Sequence, residues 1–357
     1  MQVDSLLIAM VKSGASDLHF KVGSPPLMRI DGQLVPAKYH KLTPKDTAAI
    51  ANSLMDEHQK IRFKEEHAID MSYSVPKLTR FRCNIFSQRG STAIVLRVIP
   101  MKIPTLKELR LPPIIRKLAL EHRGLVLVTG VTGSGKSSTL AGMVNEINNA
   151  RRAHILTIED PIEFLYSDKH SSINQREVGM DTKSFPSALR SALRQDPDVI
   201  LVGEMRDAET IQIAIKAADT GHMVFSTLHT TNAAKTIDRI IDYFPPHQQQ
   251  QIRFQLATNI RGIISQRLLR RADGEGRIVA CEVMIGTATI TDYITESGST
   301  NKILDAIEAG KSQYGMQSFD QALIDLLYEG LITREVALAN ANNPNELVLK
   351  LDGIETV

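Results

Sequence analysis

The residues Gly130-Val131-Thr132-Gly133-Ser134-Gly135-Lys136-Ser137 place three glycines, one ammonium and one hydroxyl at the spacing of a phosphate-binding loop. Glycine at 130, 133 and 135 lets successive backbone N–H groups turn inward toward phosphate oxygens, through conformations that a Cβ obstructs. Lys136 would reach the β- and γ-phosphates, and the hydroxyl of Ser137 would complete the shell of a Mg²⁺ ion. Thr132, Ser134 and Ser138 supply the remaining polar lining of the loop. The chemistry implied is the binding of a nucleotide's phosphates with Mg²⁺.

Other stretches could act on a bound phosphate. Asp196-Pro197-Asp198-Val199-Ile200-Leu201-Val202-Gly203-Glu204 is a buried-strand pattern with a carboxylate at its end. Gly203 stands where many such ATPases have an aspartate, so Glu204 takes the metal-side role, largely through water, or orients a nucleophilic water. Ile155 to Phe164 sets Glu159, Asp160 and Glu163 beyond another strand, at the edge where open α/β sheets bind ligands. Pro161 discourages a helix there, and a carboxylate so placed could polarise the water that attacks the γ-phosphate. Spacing alone leaves Glu159 and Glu163 as alternatives. His222 and His229 bracket an apolar strand between Thr220 and Asn232, which in a phosphate-binding sheet reads as a pair of γ-phosphate sensors.

These groups require elements that hold them. Leu125 to Thr129 is a strand-like apolar run before the loop, and Leu140, Met143, Val144 and Ile147 follow at helical spacing. From about residue 116, strands are expected at 125–129, 154–158, 199–202 and 223–227, with helices near 137–149, 184–194 and 208–218. That alternation marks a parallel sheet covered on both faces. After Asn232 the pattern reads as mostly helical, with a hairpin around Asp273-Gly274-Glu275-Gly276 and one strand near Arg277–Val283. Residues 1–100 read as a small α+β unit: a helix over 5–11, strands at 17–21 and 27–30 with an Asp31-Gly32 turn, and a helix from Thr43-Pro44 to about Met55. Strands at 80–87 and 92–99 are joined by a hairpin at Gln88-Arg89-Gly90-Ser91. Arg80, Arg82, Arg89 and Arg97 cluster there and, from pattern alone, read as a solvated sheet face. Pro100, Pro104, Pro112 and Pro113 suggest a semi-rigid linker over 101–115.

The chain has 357 residues, 43% hydrophobic and 23% charged, with 42 basic against 40 acidic side chains. That is a globular composition long enough for two domains, and the net charge of +2 gives no reason to expect a nucleic-acid partner. Cys83 and Cys281 stand alone, which argues for reduced thiols and against a tetracysteine zinc site. The N-terminus, from Met1, lacks a basic segment before a long apolar run, and no stretch reaches the ~18 apolar residues of a membrane helix. A cytoplasmic protein is expected.

Taken together, the motifs resemble the secretion ATPase superfamily, and most closely the type IV pilus retraction ATPases of the PilT family. The resemblance extends to Gly14-Ala15-Ser16-Asp17-Leu18-His19, Asn174-Gln175-Arg176-Glu177-Val178-Gly179, Leu193-Arg194-Gln195-Asp196-Pro197-Asp198 and Gly315-Met316-Gln317-Ser318-Phe319-Asp320. It implies a PAS-like N-terminal domain (1–100), the linker, a RecA-like P-loop ATPase core (116–285) and a C-terminal helical region (286–357). It further implies a homohexamer with ATP between neighbouring domains, at the cytoplasmic face of the inner membrane. The partners implied are a membrane platform protein of the pilus and a paralogous retraction ATPase. By position, the resemblance makes Glu163 the catalytic base, Glu204 the Mg²⁺-associated acid, and His222 and His229 phosphate-facing. Arg82, Arg97 and Arg116 become groups that neutralise γ-phosphate charge in trans. One departure stands out: the family's Ala-Ile-Arg-Asn-Leu-Ile-Arg-Glu motif corresponds here to Thr289-Ile290-Thr291-Asp292-Tyr293-Ile294-Thr295-Glu296, with both arginines replaced by threonine. That opens the alternative of an accessory retraction motor. An assembly or type II secretion ATPase and a RecA-like DNA-translocating motor are the other rivals.

Overall fold

The computed structural model describes residues 3–352 apart from Asp31, Lys77 and Met101. It divides into two compact units, residues 1–102 with 161–165, and residues 103–160 with 166–357.

In the first unit the order is α1 (Val3–Lys12), β1 (Asp17–Phe20), β2 (Leu27–Ile30), β3 (Gln33–Pro36), α2 (Pro44–Leu54), α3 (Glu57–Glu66), β4 (Ala68–Val75), β5 (Thr79–Gln88) and β6 (Ser91–Val98). The six strands form one antiparallel sheet in the order β3-β2-β1-β6-β5-β4. Apolar residues of both helices α1 and α2 and of the sheet share one core, including Leu7, Met10, Ile50, Phe81 and Ile94. Thr43 caps α2 as its hydroxyl suggested, in a reciprocal box with Asp46. The β5–β6 hairpin has only Arg89 and Gly90 between the paired Gln88 and Ser91, and both carry positive φ, 50° and 72°. Two left-handed residues match the twist of the flanking strands, so the short loop is the favoured one. Asp31 of the expected Asp31-Gly32 turn lies outside the described residues; around it Ile30 opposes Gln33.

The second unit runs α4 (Pro113–Ala119), β7 (Gly124–Thr129), α5 (Lys136–Ala150), β8 (His154–Glu159), β9 (Ser172–Glu177), α6 (Phe185–Ala192), β10 (Val199–Val202), α7 (Ala208–Asp219), β11 (Met223–Leu228), α8 (Ala233–Asp242), α9 (Pro246–Asn259), β12 (Ile260–Arg270) and β13 (Arg277–Ile285). Then come α10 (Ala288–Thr295), α11 (Ile303–Ala309), α12 (Lys311–Tyr314), α13 (Phe319–Tyr328), α14 (Arg334–Asn340) and α15 (Pro344–Leu351). The seven strands order as β13-β12-β7-β11-β10-β8-β9, parallel except for the edge strand β13. Alternate residues of β7 feed two separate cores, Leu125 and Leu127 into one, Val126 and Val128 into the other. A strand covered on both faces needs an unbroken apolar run, and each such side chain contributes roughly 1.5–3 kcal/mol on burial.

Two expectations are corrected here. Ile260–Arg270, read as helical, is the strand β12: its apolar positions 260, 263, 264, 268 and 269 imitate helical spacing because Ile263 and Ile264 bury on opposite faces of the sheet. Residues 103–115 are not a spacer but part of the second unit, with Leu106, Leu111 and Ile115 buried in its core beside β7 and α5. Pro113 there occupies the first turn of α4, where its missing N–H costs nothing.

Candidate nucleotide site

The phosphate loop leaves the C-terminal end of β7, whose six residues are all buried, and enters α5. Gly130 has φ 144°, and a Cβ on it would sit 2.4 Å from Ser134 Oγ and 2.6 Å from the Gln266 carbonyl oxygen. Gly135 is the left-handed N-cap of α5, φ 94°. The N-terminus of this fifteen-residue helix therefore opens directly onto the loop, where its unpaired N–H groups and dipole favour an anion. Lys136 Nζ lies over the loop and donates to the carbonyls of Gly130 at 2.9 Å and Val131 at 3.2 Å. Ser134 Oγ is buried without a hydrogen-bond partner. An ammonium, an orphaned hydroxyl and a helix N-terminus converge, which fits a polyphosphate. Beside the loop a cavity of about 230 Å³ opens, lined by Gly135, Ser138 and Thr139 on one side and by Leu268, Ile278 and Val279 on the other.

Sequence reading missed the groups that brace this loop. Thr129, the last strand residue, donates to Ser265 Oγ at 2.9 Å, and Gln266 Nε2 donates to Thr139 Oγ1 at 2.7 Å in the first turn of α5. Both braces come from β12, and no local signal could have announced them, because the partners are separated by 136 and 127 residues.

Glu204 follows the end of β10 and is 15% exposed at its side chain. Arg206 pairs with one of its oxygens, and His229 Nε2 lies 3.5 Å from the other. Arg206 also stands 3.9 Å from Asp160, and its guanidinium is pushed up by the hydrogen bond to Glu204. Strand ends β10 and β11 are tied by Thr227 Oγ1 donating to the Gly203 carbonyl at 2.7 Å. Gly203 is closely surrounded: a Cβ there would lie 3.2 Å from the Ile158 carbonyl, a tight contact. Ser137 and Glu204 offer hard oxygen donors, a set that suits Mg²⁺ completing its shell with water and substrate phosphates rather than a protein cage. The ion would screen the charge of the phosphate oxygens.

Other expected residues lie elsewhere. His222 is a correction: it precedes β11, its backbone carbonyl accepts from Gly124 N–H at 3.0 Å, and its ring nitrogen Nδ1 sits 3.0 Å from the Ala217 carbonyl. Because β11 is parallel to β7, His222 and His229 stand at opposite ends of a six-residue strand, roughly 20 Å apart. Only His229 shares the loop's edge of the sheet. Glu159 is buried and occupied, accepting from Thr157 Oγ1 at 2.7 Å and Gln175 Nε2 at 3.2 Å. Glu163 is exposed and falls within residues 161–165, which group with the first unit, whereas Lys136 and Glu204 belong to the second. Each arginine has a carboxylate within its own unit: Arg82 with Asp70 at 3.8 Å, Arg97 with Asp17 at 2.7 Å, and Arg116 with Glu146 at 3.1 Å. Burial pushes the Asp17 carboxyl up, but hydrogen bonds from Arg97 and Ser16 outweigh it and hold the group below the usual range. All three arginine side chains remain largely open to solvent.

A parallel sheet whose C-terminal edge carries a glycine-rich phosphate loop, a helix N-terminus and a carboxylate–arginine–histidine cluster defines a P-loop ATPase. Residues 2–311 match the family described as Type II/IV secretion system protein. The chain is 47% identical to the type IV pilus retraction ATPase PilT of Pseudomonas aeruginosa over 96% of its own length and 99% of the relative's. It is 41% identical to the type IV pilus ATPase PilU of the same organism, over 98% and 91%. A crystal structure of the pilus retraction motor PilT with bound ADP superposes with a TM-score of 0.89 at 46% identity, covering 97% of this chain and 98% of the other. The chain belongs to the type II/IV secretion system protein family and, within it, to the PilT family of ATPases.

Proposed function

We propose that the chain is a homohexameric motor that couples ATP hydrolysis to type IV pilus retraction. The observation that carries this reading is the meeting of the phosphate loop, Glu204 and His229 on one sheet edge, in a chain that aligns end to end with a retraction ATPase. In this reading Lys136 and the loop amides hold the phosphates, the adjoining cavity takes the base and sugar, and Ser137 with Glu204 holds Mg²⁺. Glu163, carried outside the sheet unit, is the base, and Arg82, Arg97 and Arg116 release their carboxylate partners to meet the γ-phosphate in trans. The six-stranded antiparallel unit is PAS-like, the seven-stranded unit RecA-like. The motor acts in the cytoplasm on a platform protein at the inner membrane; no helix among the described residues is long and apolar enough to cross a membrane.

A second reading, an accessory retraction motor, is favoured by α10. Thr291 Oγ1 is turned onto the Ala257 carbonyl at 3.4 Å and Thr295 Oγ1 onto the Thr291 carbonyl at 2.8 Å, so the two positions carry no cation to a partner. The test is twitching motility in a strain lacking its own copy, complemented with this chain, its Glu204→Ala form, or Thr291→Arg with Thr295→Arg. Restored motility with the unaltered chain and loss of motility and ATPase activity with Glu204→Ala are expected. Motility that needs the two arginines, or a second motor, would favour the accessory role. ATP hydrolysis without any effect on piliation would refute retraction.

A further inference from the structure

Glu282 lies near the middle of β13, 1% exposed, and pairs across the ladder with Ser265. It has no place in the hydrolysis scheme above. Its Oε1 accepts the Ala233 N–H at 2.7 Å, and Ala233 is the first residue of α8. The segment just before that helix is bound rigidly to its first turn: Asn232 caps the Lys235 N–H, Thr236 Oγ1 donates to the Asn232 carbonyl at 2.7 Å, and the Thr230 and Thr236 hydroxyls are 2.6 Å apart. One residue further back is His229, 3.5 Å from Glu204. A continuous chain of short contacts thus runs from β13 through α8 to the histidine at the phosphate edge.

The other side of β13 is held by the C-terminal helices. Gln317 Nε2 donates to the Cys281 carbonyl at 2.8 Å, and Val283 and Gln317 exchange backbone hydrogen bonds. Arg267 of β12 lies 3.8 Å over the Phe319 ring and bonds Asn342 at 2.7 Å. The charges that reach Glu282 are Arg267 from β12, Asp320 from α13 and Glu308 from α11, with burial the dominant influence.

We propose that Glu282 is a positioning residue for ATP hydrolysis, its carboxylate gripping the N-terminus of α8 and so fixing His229 against Glu204. This rests on the reading of His229 as the phosphate-edge histidine. A charge-assisted bond to a helix N–H is roughly twice as strong as a neutral one, so the ionised carboxyl holds the segment more firmly than the acid. Burial raises the group to about 7, which puts both forms within reach near neutrality.

The test compares the full-length ATPase with Glu282→Gln, which keeps the acceptor and the shape but cannot ionise, recording kcat and KM from pH 6 to 8 with thermal unfolding as a check on folding. The expected ratio of wild-type to Glu282→Gln kcat is near one at pH 6 and about fivefold at pH 8, with KM within twofold. A ratio that is the same at both pH values, or a variant as fast as wild type at pH 8, overturns the proposal. His229→Ala, measured alongside, separates the two ideas: a wild-type rate for it refutes the reading of His229, whereas a flat ratio for Glu282→Gln with a slow His229→Ala refutes only the role of Glu282.

Discussion

Gly130 and Gly133 are equivalent as letters of a motif and unequal in space. In Gly130→Ala the new Cβ meets two obstacles, Ser134 Oγ at 2.4 Å and the Gln266 carbonyl at 2.6 Å, in a backbone with φ 144°. Ser134 is itself buried, and the carbonyl belongs to β12 in the sheet, so neither can move without disturbing the loop. Backbone strain of about 1–3 kcal/mol adds to overpacking of about 1–3 kcal/mol. Even the low end, about 2 kcal/mol, is roughly a 30-fold loss of nucleotide affinity if the loop yields before the fold does. In Gly133→Ala φ is 79° and nothing lies within 4 Å of the new carbon. Only the left-handed backbone cost remains, about 1 kcal/mol, or roughly fivefold. Equilibrium titration with a fluorescent ADP analogue, with circular dichroism to verify the fold, measures both. Gly130→Ala binding within threefold of wild type, or Gly133→Ala weakened as much as Gly130→Ala, refutes the steric argument.

Further outcomes follow from the buried charges. Glu282, raised to about 7 in the fold, keeps its proton while the unfolded chain releases its own near pH 4.3, so stability falls as pH rises from there to 7 and then levels off. Glu282→Gln removes that penalty and should stabilise the protein at pH 8 by up to about 3 kcal/mol more than at pH 5; calorimetry showing equal effects at the two pH values would contradict it. Arg97→Ala leaves Asp17, 3% exposed, without its 2.7 Å partner, and should cost the first unit about 2 kcal/mol, discounted from a fully buried pair because the arginine is exposed. Denaturant titration reads that loss, and one below about 0.5 kcal/mol would show that Asp17's other partners, Arg29 at 3.8 Å and the Ser16 hydroxyl at 2.8 Å, suffice. Asp17→Asn with unchanged ATPase activity would then separate the structural pair from any role of Arg97 in trans.

Much of this molecule is legible in local sequence because its determinants are local. A strand buried on both faces must be apolar throughout, and Leu125–Thr129 and Val199–Val202 could be placed from that fact alone. The loop's glycines, Lys136 and Ser137 act within a few residues of one another, so spacing carries the geometry. The strand β4 was not anticipated, although Ile69, Met71, Tyr73 and Val75 alternate with period two. Tertiary structure decided what depends on distant partners. It turned Ile260–Arg270 into a strand because two cores claim adjacent residues. It separated His222 from His229, since histidines at either end of a strand look alike until the strand is laid parallel beside β7. The braces from Ser265 and Gln266, the seat of Glu282 under α8 and the carboxylate opposite each arginine join residues 30 to 136 positions apart, apart from Arg82 and Asp70 across one hairpin. Such pairs exist only after the chain has closed on itself, which is why the chemistry of the loop could be read along the sequence while the machinery that holds it could not.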